Sequence, residues 1–330
     1  MRILSTSPAD LDQAVALLRA GQPVGMPTET VYGLAGDARN PEALRAIFAA
    51  KGRPLDHPLI VHIHRVEELD DWADPVPPAA RALADRFWPG PLTLVLRRRA
   101  GVSDLVTGGQ DTVAVRMPGH PAALALLQRF GGAVCAPSAN RFGRISPTRA
   151  EHVREELAAR VAAVVDGGAC EVGIESTIVD VRDGELVILR PGGIGAEALA
   201  GCTGLRVRRA GPKPEVRVSG ALDSHYAPVT PAVLRLRAAL TRGEVPYPGG
   251  DYLLTFGPLP PGAAGRVLPD TPEACAAMLY AALRDADRAG CARILVEEPP
   301  EGEAWAAVRD RLGRACSREP DPQDFRHRVG

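Results

Sequence analysis

Lysines and aromatic residues are scarce in this sequence. Of the 39 basic residues only Lys51 and Lys213 are lysines, and the others are arginines. Aromatic side chains make up 4% of the 330 residues, so the core has to be built from aliphatic side chains. With 39 basic against 40 acidic residues the net charge is −1, which excludes a protein that binds nucleic acid through its overall charge.

Long apolar runs and paired cysteines are also lacking. No apolar run reaches the roughly eighteen residues of a membrane-spanning helix, and the N-terminal residues are too polar for a secretory signal. The six cysteines are scattered without any C-x-x-C pair: Cys135, Cys170, Cys202, Cys275, Cys291 and Cys316. This distribution favours reduced structural thiols over a disulfide framework or a zinc site. We therefore expect a cytoplasmic protein without membrane contact.

Short apolar runs alternate with helical patterns over the first two-thirds of the chain, which predicts an α/β domain. The predicted helices cover residues 8–20, 41–49, 78–87, 120–130 and 148–160. The predicted strands are Leu59–Ile63, Leu92–Leu96, Thr112–Arg116, Ala133–Ala136, Ala162–Val165, Thr177–Val181 and Leu186–Leu189. Because the last strands follow one another through short turns, we expect a mixed sheet.

Residues 208–228 differ in composition from the rest of the chain, since they contain prolines and glycines and show no helical period. This composition predicts an interdomain linker. Residues 1–207 would then form the larger domain. Residues 229–330 would form a smaller, Rossmann-like α/β domain. Its predicted elements are a strand at Tyr252–Phe256, a helix at Thr271–Ala289, a strand at Arg293–Val296 and a helix at Glu303–Ala315.

Polar residues gather in short motifs along the larger domain. Pro27–Leu34 (PTETVYGL) carries hydroxyls and a carboxylate, which suit a helix N-cap or a ligand. Lys51–Pro54 (KGRP), placed directly after a predicted helix, suits a phosphate clamp or a helix C-cap. Pro137–Asn140 (PSAN) and Ser146–Thr148 (SPT) suit recognition of a nucleoside or ordinary turn and cap chemistry.

Further polar residues interrupt otherwise apolar strands. His62 and His64 would share one face of a strand, a pattern that can bind a metal. No third ligand is evident nearby, so one histidine facing a substrate is the favoured interpretation. Polar residues also occur in Thr112–Arg116 and Ile174–Asp180, and Arg190 ends a strand just before a Pro-Gly-Gly turn.

Taken in order, PTETVYGL, KGRP followed by PL, PSAN, SPT, STIVD, RPG and a later HYAP resemble the motifs of the YrdC-type L-threonylcarbamoyladenylate synthases. The resemblance spans roughly residues 8–228, and the second α/β domain is similar to that of the longer, two-domain form. It implies a YrdC-like twisted mixed sheet with flanking helices. It also implies a nucleotidyltransferase that condenses L-threonine, bicarbonate or CO2, and ATP into threonylcarbamoyl-AMP and pyrophosphate. A downstream threonylcarbamoyl transferase complex would pass the group to tRNA, so tRNA would be a partner only indirectly.

The resemblance also implies roles for individual residues. ATP would bind with Mg²⁺ as a substrate, without a tightly bound organic cofactor and without metal ligands from the protein. Lys51 and Arg53 would be the catalytic cations that grip the triphosphate. The implied ATP-binding residues are Lys51, Arg53, His57, Thr112, Ser138, Asn140, Ser146, Arg190 and Tyr226, the last as a lid. The implied L-threonine-binding residues are Thr30, His62, Arg116 and Ser176, with Arg116 clamping the carboxylate.

Two positions depart from the family pattern. His57 stands where the family commonly has Asn, and an imidazole that titrates near neutrality would make nucleotide affinity depend on pH. Ser219–Ser224 replaces a Pro-Gly-Met-Lys-type run, so the lysine of that run, a cation that could contact phosphate, is missing here.

Two other functions remain open at this point. Arginines at Arg97–Arg99, Arg141 and Arg144 could form the basic patch of an RNA-binding module of the same fold. Carbamoyl transfer from carbamoyl phosphate, as in related domains of hydrogenase-maturation proteins, is the second. The absence of zinc-ligand and acylphosphatase-like segments argues against it.

Overall fold

The computed structural model describes residues 1–182, 184–211, 215–220, 225–236 and 250–318. Lys213 and residues 221–224, which belong to the predicted linker, lie outside these ranges. Two compact units make up the chain. The first contains Met1–Phe142 and Ser146–Ala221, and the second contains Gly143–Ile145 and Leu222–Gly330.

The first unit is built on one sheet. Its strands are β1 (Arg2–Leu4), β2 (Val24–Met26), β3 (Gly33–Asp37), β4 (Ile60–His62), β5 (Leu92–Arg97), β6 (Thr112–Arg116), β7 (Val134–Cys135), β8 (Ala163–Val165), β9 (Thr177–Asp180), β10 (Leu186–Arg190) and β11 (Val207–Arg209). Their order across the sheet is β1-β8-β2-β3-β7-β4-β6-β5-β9-β10-β11. β4 runs parallel to β6 and antiparallel to β7, and β9 and β10 are antiparallel, so the predicted mixed sheet is confirmed.

Seven α-helices of the described residues belong to this unit. They are α1 (Pro8–Arg19), α2 (Pro41–Lys51), α3 (Pro78–Phe87), α4 (Asp104–Thr107), α5 (Pro121–Phe130), α6 (Ala150–Leu157) and α7 (Ala196–Thr203), with a 3-10 helix at Val66–Asp71. All but α4 and α7 lie close to predicted positions. The side chain of Asn40 caps α2, which has proline in its first turn. α2 ends at Lys51, and the residue after it, Gly52, caps the helix with a left-handed backbone (φ 64°). The helix therefore includes Lys51, which the sequence placed just after it.

The core of this unit is mainly aliphatic, as expected from the scarcity of aromatic residues, although Trp72 and Trp88 are buried in it. Leu44 and Ile47 of α2 pack in one cluster with Leu94 of β5, whereas Leu18 of α1 and Leu126 of α5 belong to a separate one. All six cysteines are free thiols. None of the helices in the described ranges is long and apolar enough to cross a membrane.

Residues assigned to the linker also take part in the first unit. Residues 208 and 209 belong to β11, which pairs in parallel with β10. Val216 and Val218 pack in one buried cluster with Ile60, Val95 and Ile178 of the sheet. Because these contacts bury apolar side chains, this part of the chain is held against the sheet.

The second unit is a smaller α/β domain, as predicted. Its strands in the described part of the chain are β12 (Ala232–Arg235), β13 (Asp251–Thr255), β14 (Ala264–Val267), β15 (Arg293–Glu297) and β16 (Ser317–Arg318). They pair in parallel in the order β14-β13-β15-β12-β16. The helices are α8 (Pro272–Arg288) and α9 (Ala306–Ala315), preceded by a 3-10 helix at Glu303–Trp305. The sequence did not predict β12, β14 or β16.

Candidate active site

Strands β4 and β6 place His62 and Arg116 side by side. The two residues are register partners in the parallel pairing, and both are buried. Register partners on neighbouring strands point to the same face of a sheet. Two residues predicted for the amino-acid substrate are therefore brought together here.

The guanidinium of Arg116 is held by three acceptors. Its Nε donates to the carbonyl of Gly90 at 3.2 Å, its Nη1 to Thr30 Oγ1 at 2.8 Å, and its Nη2 to Glu29 Oε1 at 2.5 Å. These bonds fix the plane of the fork, which is the property that makes arginine suitable for carboxylate recognition. Glu29 is a site residue that the sequence analysis did not assign.

The hydroxyls of the PTETVYGL motif form an ordered chain. Thr28 Oγ1 donates its single proton to the carbonyl of Val31 at 2.6 Å. In the 2.9 Å bond between the two threonine hydroxyls Thr30 is therefore the donor, and Thr30 Oγ1 accepts from Arg116. The motif forms a loop between β2 and β3 and begins no helix, so the N-cap interpretation is wrong.

His62 is a neutral ring with a fixed tautomer. Burial, followed by the charge of Arg116, lowers the pKa of His62 to about 3. The neutral ring donates from Nδ1 to the carbonyl of Ile60 at 3.0 Å, which leaves Nε2 as an acceptor. His64 pairs instead with Glu68 at 2.9 Å. In the ranges that the structure describes, no group of three His, Cys, Asp or Glu side chains could hold a metal.

Ser176, which was predicted to bind the amino acid, contacts Arg190, which was predicted to bind the nucleotide. The hydroxyl of Ser176 lies 2.7 Å from that of Thr93, and Arg190 Nη2 donates to the hydroxyl and the carbonyl of Ser176 at 3.1 and 2.9 Å. Gly192 permits this arrangement because a Cβ there would lie 2.3 Å from the backbone nitrogen of Thr177. One contact therefore joins a residue predicted to bind the amino acid, Ser176, to a residue predicted to bind the nucleotide, Arg190.

Lys51 is held by the PSAN loop. Its Nζ donates to the backbone carbonyls of Ser138 and, at 2.7 Å, of Asn140. Burial, followed by the charge of Arg53, holds the pKa of Lys51 well below its usual value, and no carboxylate among the described residues forms an ion pair with it. Lys51 was predicted to lie after the helix, in a loop. In the structure Lys51 is the last residue of α2, and its side chain holds the PSAN loop by hydrogen bonds.

Arg53 and Arg190 converge on Ser219. Arg53 Nη2 donates to the carbonyl of Pro58 at 2.9 Å and to Ser219 Oγ at 3.1 Å, and Arg190 Nη1 donates to the carbonyl of Ser219 at 2.9 Å. Thr112, which is buried, lines a groove together with Pro58 and Ser219. The side chains of two predicted nucleotide-binding cations therefore meet at Ser219, in the run where this chain lacks the cation of the family pattern.

His57 lies edge-on to Phe142, with ring centroids 5.1 Å apart. Burial, followed by the charge of Arg53, lowers the pKa of His57 below its usual value. Its titration therefore lies on the acid side of the near-neutral range expected from the sequence.

Ser146 is buried, and its hydroxyl donates to Oε1 of Glu175 at 2.5 Å. Glu175 directly precedes Ser176 in the chain. The SPT motif does not cap a helix, because α6 begins only at Ala150 and has Arg149 at its N-cap. The side chain of Asn140 donates to the carbonyl of Arg141 at 2.8 Å.

Tyr226, the predicted lid residue, belongs to the second unit. It is 1% exposed, stacks on Tyr280 at a centroid distance of 5.7 Å and lies under the guanidinium of Arg311 at 5.4 Å. Its φ of 61° is unusual for a residue with a bulky side chain. Within its own unit Tyr226 is thus a core residue.

Comparisons with known proteins show the family of this chain. Residues 16–192 match the Sua5, YciO and YrdC family model described as "Telomere recombination", and residues 194–317 match the one described as "Threonylcarbamoyl-AMP synthase, C-terminal domain". The threonylcarbamoyl-AMP synthase of Bacillus subtilis is 39% identical in an alignment of 337 positions that covers 95% of this chain and 94% of that protein. That of Pyrococcus abyssi is 40% identical in an alignment of 317 positions that covers 92% of each chain.

A solved structure extends the similarity to the fold. P. abyssi Sua5 complexed with L-threonine superposes with a TM-score of 0.88 at 36% identity, covering 97% of this chain and 100% of that one. The resemblance inferred from the ordered motifs and the predicted fold class are both confirmed. The chain belongs to the two-domain Sua5/YrdC family of threonylcarbamoyl-AMP synthases.

Proposed function

We propose that this protein condenses L-threonine, bicarbonate or CO2, and ATP into threonylcarbamoyl-AMP and pyrophosphate. The observation that carries the proposal is the contact between Ser176 and Arg190. It joins Ser176, a residue assigned to the amino acid, to Arg190, a cation that meets Arg53 at Ser219. An amino acid and a polyanion would therefore bind next to each other, as the condensation requires.

The residues around Arg116 would hold L-threonine. Arg116 offers a fixed fork to the α-carboxylate. In the neutral ring Nε2 of His62 accepts a hydrogen bond but cannot donate one. It would therefore accept a hydrogen bond from the threonine hydroxyl. Thr30 adds a hydroxyl that is bonded to Arg116, and Ser176 adds one that is bonded to Arg190.

The cations Lys51, Arg53 and Arg190 would hold ATP. The nucleotide carries about four negative charges and Mg²⁺ removes two, so about two protein cations are needed. Lys51 and Arg53 meet that need and Arg190 adds a third donor. The residues that complete the nucleotide site in this proposal are His57, Thr112, Ser138, Asn140 and Ser146.

The donor set fits Mg²⁺ as an ion carried by the nucleotide. No cluster of three metal-ligating side chains occurs among the residues that the structure describes. Mg²⁺ commonly binds through substrate phosphates and keeps several waters. When bound it would neutralise part of the phosphate charge, and the cations of this chain would orient the triphosphate.

The chemistry then consists of two bond-forming steps. The amine nitrogen of threonine bonds to the carbon of CO2 and releases a proton, which gives a carbamate. A carbamate oxygen attacks the α-phosphorus of ATP, the bond to the bridging oxygen breaks, and pyrophosphate leaves with the electron pair. Arg116 would hold the carboxylate while Lys51 and Arg53 counter the charge of the leaving pyrophosphate.

The product is a reactive mixed anhydride that needs an acceptor. We place a threonylcarbamoyl transferase complex downstream, with tRNA as the final acceptor, in the cytoplasm. The arginines invoked for an RNA-binding module support that alternative less well. Arg98 is paired with Asp104, and Arg99 Nη1 donates to the carbonyl of Asp70 at 2.7 Å.

Pyrophosphate release by the purified protein tests the proposal. With bicarbonate and Mg-ATP, release should require L-threonine and should be slow with L-serine or L-valine. Release that is independent of threonine would contradict the proposal. Tight, steeply salt-dependent RNA binding without nucleotide turnover would favour the RNA-binding alternative.

A further inference from the structure

One oxygen of the Glu29 carboxylate has no partner among the described residues. Oε1 accepts from Arg116 Nη2 at 2.5 Å, whereas Oε2 is buried and accepts no hydrogen bond. The residue is only 8% exposed. A buried carboxylate oxygen without a donor is costly, so the position favours a ligand that brings one.

The charges around Glu29 define what that ligand should carry. Arg116 contributes one positive charge and Glu29 one negative charge. Thr30 has no charge, and His62 is neutral because its pKa is lowered to about 3. The group has a net charge of zero, in contrast to the cations at Lys51 and Arg53. A ligand with one positive and one negative group matches it, and an α-amino acid is such a zwitterion.

The remaining donors of Arg116 complete the match. A guanidinium has five N–H groups, and the bonds to Gly90, Thr30 and Glu29 use one on each nitrogen. One N–H is left on each Nη, both available to a carboxylate. Because the carboxylate and the ammonium of an amino acid are attached to the same carbon, their receptors must also adjoin, as Arg116 and Glu29 do.

We propose that Oε2 of Glu29 accepts a hydrogen bond from the α-ammonium of the amino-acid substrate. The Arg116–Glu29 pair then recognises both charged groups of the zwitterion, and it holds the nitrogen at the position where carbamate formation begins. This inference rests on the proposed function, because it assigns a positioning residue for the same substrate.

Glu29→Gln tests the inference. The amide keeps the size of the side chain and an oxygen acceptor for Arg116, but it removes the charge that faces the ammonium. A hydrogen bond to a charged group corresponds to roughly a 10- to 100-fold change, so the KM for L-threonine should rise about 10- to 100-fold while the KM for ATP stays unchanged. Glu68→Gln is the matched control, since Glu68 is also 8% exposed and also pairs with an arginine, Arg65. It should leave both constants unchanged.

A deaminated substrate separates direct recognition from an effect through Arg116. (R)-3-Hydroxybutanoate has the carboxylate and hydroxyl of threonine without the amine. By calorimetry, Glu29→Gln should weaken L-threonine binding and leave (R)-3-hydroxybutanoate binding unchanged. Equal weakening of both ligands would show that Glu29 acts only through Arg116, and unchanged threonine binding would equally overturn the inference.

The wild-type protein supplies a second measurement if the variant does not fold. (R)-3-Hydroxybutanoate should then bind about tenfold or more weakly than L-threonine, and equal affinities would overturn the inference. A wild-type protein that neither binds L-threonine nor releases pyrophosphate in its presence would instead refute the proposed function. The two failures are therefore distinguishable.

Discussion

The guanidinium groups of Arg53 and Arg190 both donate to Ser219, one to its hydroxyl and the other to its carbonyl oxygen. Lys51 is likewise held by two carbonyl oxygens. Neutral acceptors keep these side chains in place, yet they bind cations less strongly than a phosphate oxygen does. A triphosphate that enters this group would therefore find cations already positioned.

Replacing Lys51 should impair both catalysis and stability. In Lys51→Ala the loss of the ammonium should lower pyrophosphate release by about 100-fold or more. The loss of its bonds to Ser138 and Asn140 should cost about 2 to 4 kcal/mol of unfolding free energy, measurable in urea. Lys51→Met keeps more of the packing and should be more stable than Lys51→Ala but equally inactive. Wild-type turnover in either variant would refute the role of Lys51.

The planar fork of Arg116 should matter more than its charge. Arg116→Lys keeps the positive charge but cannot reach Gly90, Thr30 and Glu29 together. The KM for L-threonine should rise about 30- to 100-fold, which corresponds to about 2 to 3 kcal/mol, while the KM for ATP should not change. Arg81→Lys, at an exposed pair with Asp70, is the control and should behave as the wild type.

Two adjacent glycines offer a matched pair of variants. A Cβ at Gly192 would lie 2.3 Å from Thr177 N and 2.7 Å from the carbonyl carbon of Ser176, whereas at Gly193 the nearest atom is 3.9 Å away. Gly192→Ala should therefore displace Ser176, lower the unfolding free energy by about 1 to 3 kcal/mol and abolish threonine-dependent turnover. Gly193→Ala should be close to the wild type in both measurements. The reverse order would contradict the observed packing.

His62 should make the protein less stable in acid. The pKa of His62 is about 3 in the folded state, below the usual 6.5, so the unfolded state binds the proton first as the pH falls. Between pH 7.5 and 5 this should remove about 2 kcal/mol of unfolding free energy. The stability difference between the wild type and His62→Gln should shrink by that amount over the same range in urea titrations. Parallel pH profiles would show that His62 does not titrate as described.

Local sequence patterns predicted much of the fold because the flanking residues favour the same structure as the apolar pattern. β6 spans Thr112–Arg116, as predicted, and α3 spans Pro78–Phe87, as predicted. β14 was missed because Ala264–Val267 has neither a buried alternation nor several β-branched residues. α2 was predicted too short because its end depends on the left-handed backbone of Gly52.

The site was harder to predict wherever a distant partner decides the role of a residue. In PTETVYGL the same threonine and glutamate types suit a helix N-cap, whereas in the structure Arg116, 86 residues beyond Thr30, bonds to Thr30 and Glu29. Glu29 was missed for the same reason, although it lies in a motif that was singled out. Ser219 was missed as a partner of Arg190 because a backbone carbonyl acceptor leaves no signature in a side chain.

The scarcity of lysine gives Lys51 a practical value. Lys51 is one of only two lysines in the 330 residues, and its Nζ lies inside the group of cations described above. An amine-directed acylating reagent therefore has very few targets on this protein. Because Lys51 is buried and its Nζ is bonded to two carbonyl oxygens, acylation of Lys51, detected by mass spectrometry, should report when the end of α2 separates from the PSAN loop.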